Sequence, residues 1–307
     1  MGEETMDLAA DDAVEAILRG GLAREARALT AVVPVLRHLL GSEAQGLVSE
    51  AIVARVRGMI LDLAAQLLSV QEGRDPAARA PGHGSGTIEA FAESLMGAEA
   101  LLAHCHALAT ESLVADRLQQ RHAIDPVLSP LLQELIAAED SAIAALAMAT
   151  LAAQSRFVQS QRRMELPLGE LPAELFHTLL ARLHGGAGVS HQQASYDEAS
   201  SRIGLLARLV TAMRRGAVAA LALDHAGLAL FASALAGATR SWREDIVLAC
   251  QEGQAVRLAL TLRAAGLAAP AIERQLALTE PAALLPAAIG ALDPSRAAAL
   301  LAAGRPA

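Results

Sequence analysis

Residues 52–67 read IVARVRGMILDLAAQL. Ile52, Val56, Met59, Leu63 and Leu67 recur at steps of three and four, with Arg55, Arg57 and Asp62 off that stripe. At 3.6 residues per turn, this spacing gathers the apolar side chains on one face of a helix, to be buried against a neighbour. Ile203, Leu206, Val210 and Met213 repeat the pattern and leave Arg202 and Arg208 outside it. Strand signals are scarce. No run alternates β-branched with polar residues, and a chain without asparagine cannot form an Asn-Gly hairpin. Abundant alanine adds high helix propensity and permits close helix approach. The predicted fold class is all-α.

Composition narrows the function classes. The 307 residues carry 25 basic and 33 acidic side chains, a formal charge of −8, and every fixed cation is an arginine because lysine is absent. A Schiff-base lysine and a phosphate-loop lysine are therefore excluded. The acidic balance argues against a nucleic-acid partner, whose phosphates need a basic face. The pairs Arg162-Arg163 and Arg214-Arg215 sit where helices end and read as charges complementing the helix dipole. A mean hydropathy of +0.36 raises the question of a membrane. However, the longest uncharged stretches, Ser141–Ser155 and His225–Thr239, have 15 residues each, against the roughly 20 that a spanning helix needs. Both are expected to be buried globular helices, with no membrane span. Met1–Asp12 is acidic and unlike a signal peptide. Two cysteines, Cys105 and Cys250, make no disulfide framework, and a reducing cytoplasm is the expected compartment.

Punctuation predicts many short-to-medium helices. Asp125-Pro126 and Asp293-Pro294 each pair an N-cap acceptor with a proline at the first helical position, and Ser129-Pro130 competes with the first of them. Gly185-Gly186 and Gly304 read as C-terminal stops. Pro34, inside an apolar helical pattern, predicts a kink or a break. Gln71–Thr87 and Gly185–Ser200 read as long loops. The second divides a helical region over residues 1–185 from another over 200–307.

Leu131-Leu132, Leu135 and Ile136 form a first apolar helix, Glu139-Asp140 a turn, and Ile143, Leu146, Ala147 and Leu151 a second helix. This arrangement resembles a HEAT repeat, in the manner of uncharacterised bacterial helical-repeat proteins. It departs from that pattern at Ala144, where an arginine is usual. A second partial unit runs from Leu29 to Ile60, and Ala226-Gly227-Leu228-Ala229 echoes Ala265-Gly266-Leu267-Ala268 at an offset of 265 − 226 = 39 residues, near the period of roughly 40–47 for paired-helix repeats. The resemblance implies stacked antiparallel helix pairs with an extended binding surface, and supplies no activity.

Four clusters carry ligand-type or catalytic residue types. In His104-Cys105-His106 the two histidines point about 200° apart on a helix, so they cannot share a metal without a break. Glu174 and His177 have the Glu-x-x-His spacing of di-iron bundles, which need two such pairs; Glu174 fits better in the first turn of a helix starting near Leu171-Pro172. Gly82–Thr87 could cradle an anion before a helix near Ile88, but matches no nucleotide motif, and Thr87 reads as an N-cap. His38 follows Arg37 and His122 follows Arg121, which makes either histidine a candidate phosphoacceptor with a cation at hand.

The leading expectation is a non-enzymatic cytoplasmic scaffold or regulator that binds a protein partner, with no cofactor or metal and with homo-oligomerisation open. Trp242 and Arg243 are the candidate contact residues, of types enriched at interfaces, against the alternative of Trp242 as core. The other readings are a histidine phosphotransfer component and a binder of a small apolar ligand in a cavity between helices.

Overall fold

The computed structural model describes residues 2–41, 49–78, 84–184, 186–283 and 287–304. Those residues form fourteen α-helices and no strand. The helices are α1 (Gly2–Gly41), α2 (Glu50–Gln71), α3 (Ser85–Met96), α4 (Glu99–His122), α5 (Pro130–Ile136), α6 (Ser141–Arg162) and α7 (Ala173–Leu180). They continue with α8 (Ala187–Ser195), α9 (Arg202–Met213), α10 (Leu223–Thr239), α11 (Arg243–Ala249), α12 (Ala255–Ala264), α13 (Ala269–Thr279) and α14 (Pro294–Ala303). The chain divides into two compact units, each discontinuous in sequence. The first takes Met1–Val32, Leu113–Leu131 and Arg215–Ala307; the second takes Val33–Ser112 and Leu132–Arg214.

Local chemistry accounts for most helix ends. The competing starts resolve in favour of Ser129-Pro130, because α5 begins at Pro130. Asp125 Oδ1 instead accepts the Val127 and Leu128 amides at 2.7 and 2.9 Å and closes a turn. Asp293 caps α14 as expected, and Arg163 and Arg214 follow the last residues of α6 and α9. Other expectations are corrected. The helix α1 runs on through Pro34, so no break occurs there. The first turn of α3 begins at Ser85 with Gly84 at its cap, not Thr87. Ala181 follows the end of α7, so Gly186 is not its stop, and Gly185 lies outside the described residues. Gly185–Ser200, expected as a loop and lying inside the second unit, contains α8 and the 3-10 turn Glu198–Ser200. Val189 of α8 is buried, and Gly188 has no side chain, so the helix backbone closes on the Val70 carbonyl. Tertiary contact of this kind overrides a weak local preference. Both copies of Ala-Gly-Leu-Ala turn a corner on a glycine in the left-handed region, Gly227 at φ 68° and Gly266 at φ 90°.

The predicted stripe on α2 is buried at Val56, Met59, Leu63 and Leu67, widened by Ile60 and Ala64. These residues join Leu95 of α3, Leu101, Cys105 and Leu108 of α4, and Phe176, Leu179 and Leu180 of α7 in the core of the second unit. From Leu101 to Ser112, α4 is buried at every position except Ala103. The stripe on α9 is displaced: its buried residues are Arg202, Leu205, Leu206 and Leu209, whereas Ile203, Val210 and Met213 are partly covered. In the first unit, α12 packs against α11, α13 and α14. Glu25 of α1 accepts the Val256 and Arg257 amides at 2.9 and 2.7 Å and so caps α12.

The two uncharged stretches differ sharply in burial. Most of α10 is buried, from Leu223 to Ala236. The helix α6, by contrast, is the one helix among the described residues that is long and apolar enough to cross a membrane, and only 22% of that window is buried. The expected burial of Ser141–Ser155 is therefore corrected. Ala142, Ala145, Met148, Ala149 and Ala152 lie exposed on one face, because α6 uses its other side to pack against α9.

Gly58 of α2 sets a close contact within the second unit. A Cβ at this position would stand 2.5 Å from Met164 Cβ and 3.0 Å from the Met164 carbonyl. Gly58→Ala is therefore expected to lower stability by about 1–3 kcal/mol through overpacking, reversing the gain of about 1 kcal/mol that alanine gives at an open helix position. Chemical denaturation of the variant beside the wild type measures the sign.

Candidate functional site

Below the end of α6, three helices of the second unit converge on one cation. Arg202 opens α9, with the Ser201 hydroxyl accepting the Gly204 amide as its cap at 3.2 Å. The Arg202 amide donates to Glu170 Oε2 at 2.7 Å. Its side chain turns inward. Nη1 donates to Glu111 Oε1 at 2.7 Å and Nη2 to Glu111 Oε2 at 2.9 Å, a bidentate pair with both side chains 2% exposed. Gln154 Oε1 of α6 accepts a further bond from Nη1 at 3.2 Å. The guanidinium carbon lies 3.6 Å over the ring of Phe157, also on α6, and the ring quadrupole favours that cation.

The segment that follows α6 is held by polar side chains on α2. Asp62 Oδ2 accepts the Leu166 amide at 2.9 Å. Gln66 takes the Leu168 amide on Oε1 at 2.8 Å and donates from Nε2 to the Leu166 carbonyl at 2.9 Å. Gly58, Asp62 and Gln66 are four residues apart and form a second stripe on α2. One turn later, Glu198 accepts the Ala173 amide at 3.0 Å, and Tyr196 donates to the Leu171 carbonyl at 2.7 Å while stacking on Phe176 with centroids 3.9 Å apart.

Between the last turns of α6, this connection and the start of α9 lies a cavity of about 320 Å³. Its wall includes Leu108, Phe157 and Leu166 beside Arg156, Arg163 and Glu170. The volume is within the range of small-molecule pockets. Sequence reasoning missed the centre of this site. The stripe through Ile203 and Leu206 places Arg202 on the polar side of α9, although the apolar run beginning at Leu205 is equally good. Glu111 carried no signal, as one carboxylate among 33 acidic residues.

The residues singled out in the sequence are scattered. His104, Cys105 and His106 are all buried on α4. Desolvation pushes the Cys105 thiol up to about 12, which leaves it a protonated and unreactive thiol. Burial holds the His106 imidazole down to about 4 and therefore neutral. Glu174 and His177 are exposed on the two-turn α7. Trp242 is 74% exposed ahead of α11. Arg243 is corrected as a surface residue: it is buried and its Nε donates to Ser233 Oγ of α10 at 3.0 Å. His122 is exposed at the end of α4, and the neighbouring Arg121 is paired with Glu252 at 3.0 Å. Arg37 pairs with Glu99 at 2.9 Å, while the side chain of His38 lies outside the described residues, as do Gly82 and His83. Searches against family models, curated proteins and solved structures return no match.

Two measurements test this site. Arg202→Met strands the Glu111 carboxylate and is expected to cost about 3–5 kcal/mol, whereas Arg202→Met with Glu111→Met recovers most of that loss. Equal loss in both variants would contradict the pairing. The second concerns His106. Its folded value of about 4 lies below the ordinary 6.5, so as pH falls the unfolded chain takes up the proton first. The stabilisation is complete above about pH 6.5 and is lost towards pH 4, by up to about 3 kcal/mol. A His106→Gln variant should show a flatter decline of melting temperature across that window.

Proposed function

We propose that this chain is a non-enzymatic, cytoplasmic helical scaffold that docks onto a protein partner through the exposed apolar face of α6. The observation that carries this reading is the exposure of Ala142, Ala145, Met148, Ala149 and Ala152 on one side of a helix without a charge from Ser141 to Ser155. Small side chains allow a partner helix to approach closely, and the flexible thioether of Met148, 52% exposed, adapts to it. The uncharged stretch Ser141–Ser155 spans about 22 Å at 1.5 Å per residue, against a hydrocarbon core of about 30 Å, and the turns that complete the helix carry Arg156 and Arg162, which favours a protein over a bilayer. Exposed Trp242 is a second contact point on the first unit.

The succession of α5, a turn and α6 has the chain order of a HEAT-like helix pair, and the partner against which α6 packs is α9. Asp140 accepts the Ala142 and Ile143 amides at 2.9 and 3.3 Å and so fixes the start of the second helix. The seven-residue length of α5 favours the looser description, stacked helix pairs, over a regular repeat. A cytoplasmic setting accords with Cys105 and Cys250, both buried and neither in a disulfide.

Ala145→Glu with Ala149→Glu should leave folding stability within about 0.5 kcal/mol, since both side chains face solvent. It should also weaken a partner captured stoichiometrically from native extract by at least about tenfold. Undiminished capture by the doubly charged variant overturns the reading. So does co-sedimentation of the wild type with phosphatidylcholine–phosphatidylglycerol vesicles that the variant abolishes, or a self-dimer that the variant dissociates.

A further inference from the structure

The cavity below the end of α6 has walls of three chemical kinds, and their arrangement points to one class of ligand. The first wall is cationic. Arg156, Ser160 and Arg163 all line the cavity and follow one another at i, i+4 and i+7, which places two guanidinium groups and a hydroxyl along one side of α6. Such a row suits a carboxylate, which a guanidinium can grip with two parallel hydrogen bonds. The second wall accepts hydrogen bonds. Glu170 has given one oxygen to the Arg202 amide, and an ionised carboxylate has further lone pairs to offer. Gln161 lines the same cavity, is 1% exposed, and donates from Nε2 to Met59 Sδ at 3.3 Å, yet its Oε1 is buried without a hydrogen-bond partner. An orphaned buried acceptor costs free energy until a donor reaches it. The third wall is apolar. Leu108, Leu166 and the half-buried ring of Phe157 form it, the ring being covered on one face by the Arg202 guanidinium.

The Arg202–Glu111 pair is satisfied within itself, and the other charged groups that line the cavity are the cations Arg156 and Arg163 and the carboxylates Glu165 and Glu170. We propose that this cavity binds a free α-amino acid with an apolar side chain. Its carboxylate lies along Arg156, Ser160 and Arg163, its ammonium donates to Glu170 and Gln161 Oε1, and its side chain rests against Phe157, Leu108 and Leu166. A simple anion would leave the orphaned acceptor unmet, and a simple amine would leave the arginine row unmet. The cavity volume of about 320 Å³ accommodates an amino acid as large as phenylalanine. This inference does not depend on a partner docking on the exposed face of α6, because the cavity adjoins the last turns of that helix and the docking face its first three.

Thermal unfolding of the full chain with each of the twenty standard amino acids at about 10 mM gives the first readout, since a ligand of the folded state raises the melting temperature. The expected result is a saturable rise with one or more apolar members, such as phenylalanine, leucine or methionine. Calorimetry then compares the strongest of them with its des-amino acid and its decarboxylated amine, for phenylalanine 3-phenylpropanoate and phenethylamine, each expected to bind at least about tenfold more weakly. Arg163→Gln, at an exposed position, should weaken the amino acid and the des-amino acid alike while leaving the amine unaffected and lowering the unliganded melting temperature by no more than about 3 °C, the loss of one helix-end charge. The proposal is overturned if no amino acid shifts unfolding, if a charged side chain binds best, if the three analogues bind equally, or if Arg163→Gln changes nothing.

Discussion

A guanidinium taken out of water must find its charge and its hydrogen bonds inside the protein, and Arg202 obtains both from Glu111. That requirement fixes more than two side chains. Glu111 stands on α4, Gln154 and Phe157 on α6, and Arg202 at the first position of α9, so a single planar group ties three helices to one register. A shift of any of them by one residue would leave a charge in the core of the second unit without its partner, a far greater cost than an imperfect apolar contact. The amide of the same residue is held by Glu170, which extends the constraint to the turn that borders the cavity.

The connection after α6 obeys a related logic. An irregular segment has backbone groups that helices would otherwise satisfy internally. Here α2 supplies the acceptors and donors with Asp62 and Gln66, and Gly58 removes the side chain that would keep the segment away. One helix thus has two working faces: an apolar one that builds the core and a polar one that suspends the rim of the cavity. Nearby, Glu198 caps α7 and Tyr196 secures Leu171, so the turns around the site are tied by side-chain bonds where regular packing ends.

Similar composition leads to opposite fates in α6 and α10. Each carries 15 consecutive uncharged residues rich in alanine and leucine. In α10 these residues are mostly buried, with Phe231 and Leu235 fully enclosed. In α6 the side away from α9 stays bare. Hydropathy measures the tendency to leave water and cannot report whether a neighbour arrives. The bare face and one wall of the cavity therefore belong to one helix, its first turns offering apolar surface and its last turns offering charge.

Local chemistry was readable from the chain alone. Apolar spacing without β patterning gave the all-α class, Asp293-Pro294 and Ser129-Pro130 gave helix starts, and the arginine pairs marked the ends of α6 and α9, since capping and dipole effects act within one turn. The stripe on α2 was legible because its alternatives were charged. On α9 the sequence predicts a stripe through Ile203, while one through Leu205 is as apolar, and a carboxylate 91 residues away draws Arg202 inside with the latter. Arg243 likewise read as a surface residue until Ser233 on a neighbouring helix claimed it. Sequence determines which elements form, because that depends on neighbours within a few residues. Tertiary structure determines which polar groups are drawn inside and which apolar faces stay uncovered, because both depend on groups that the chain brings together from far apart.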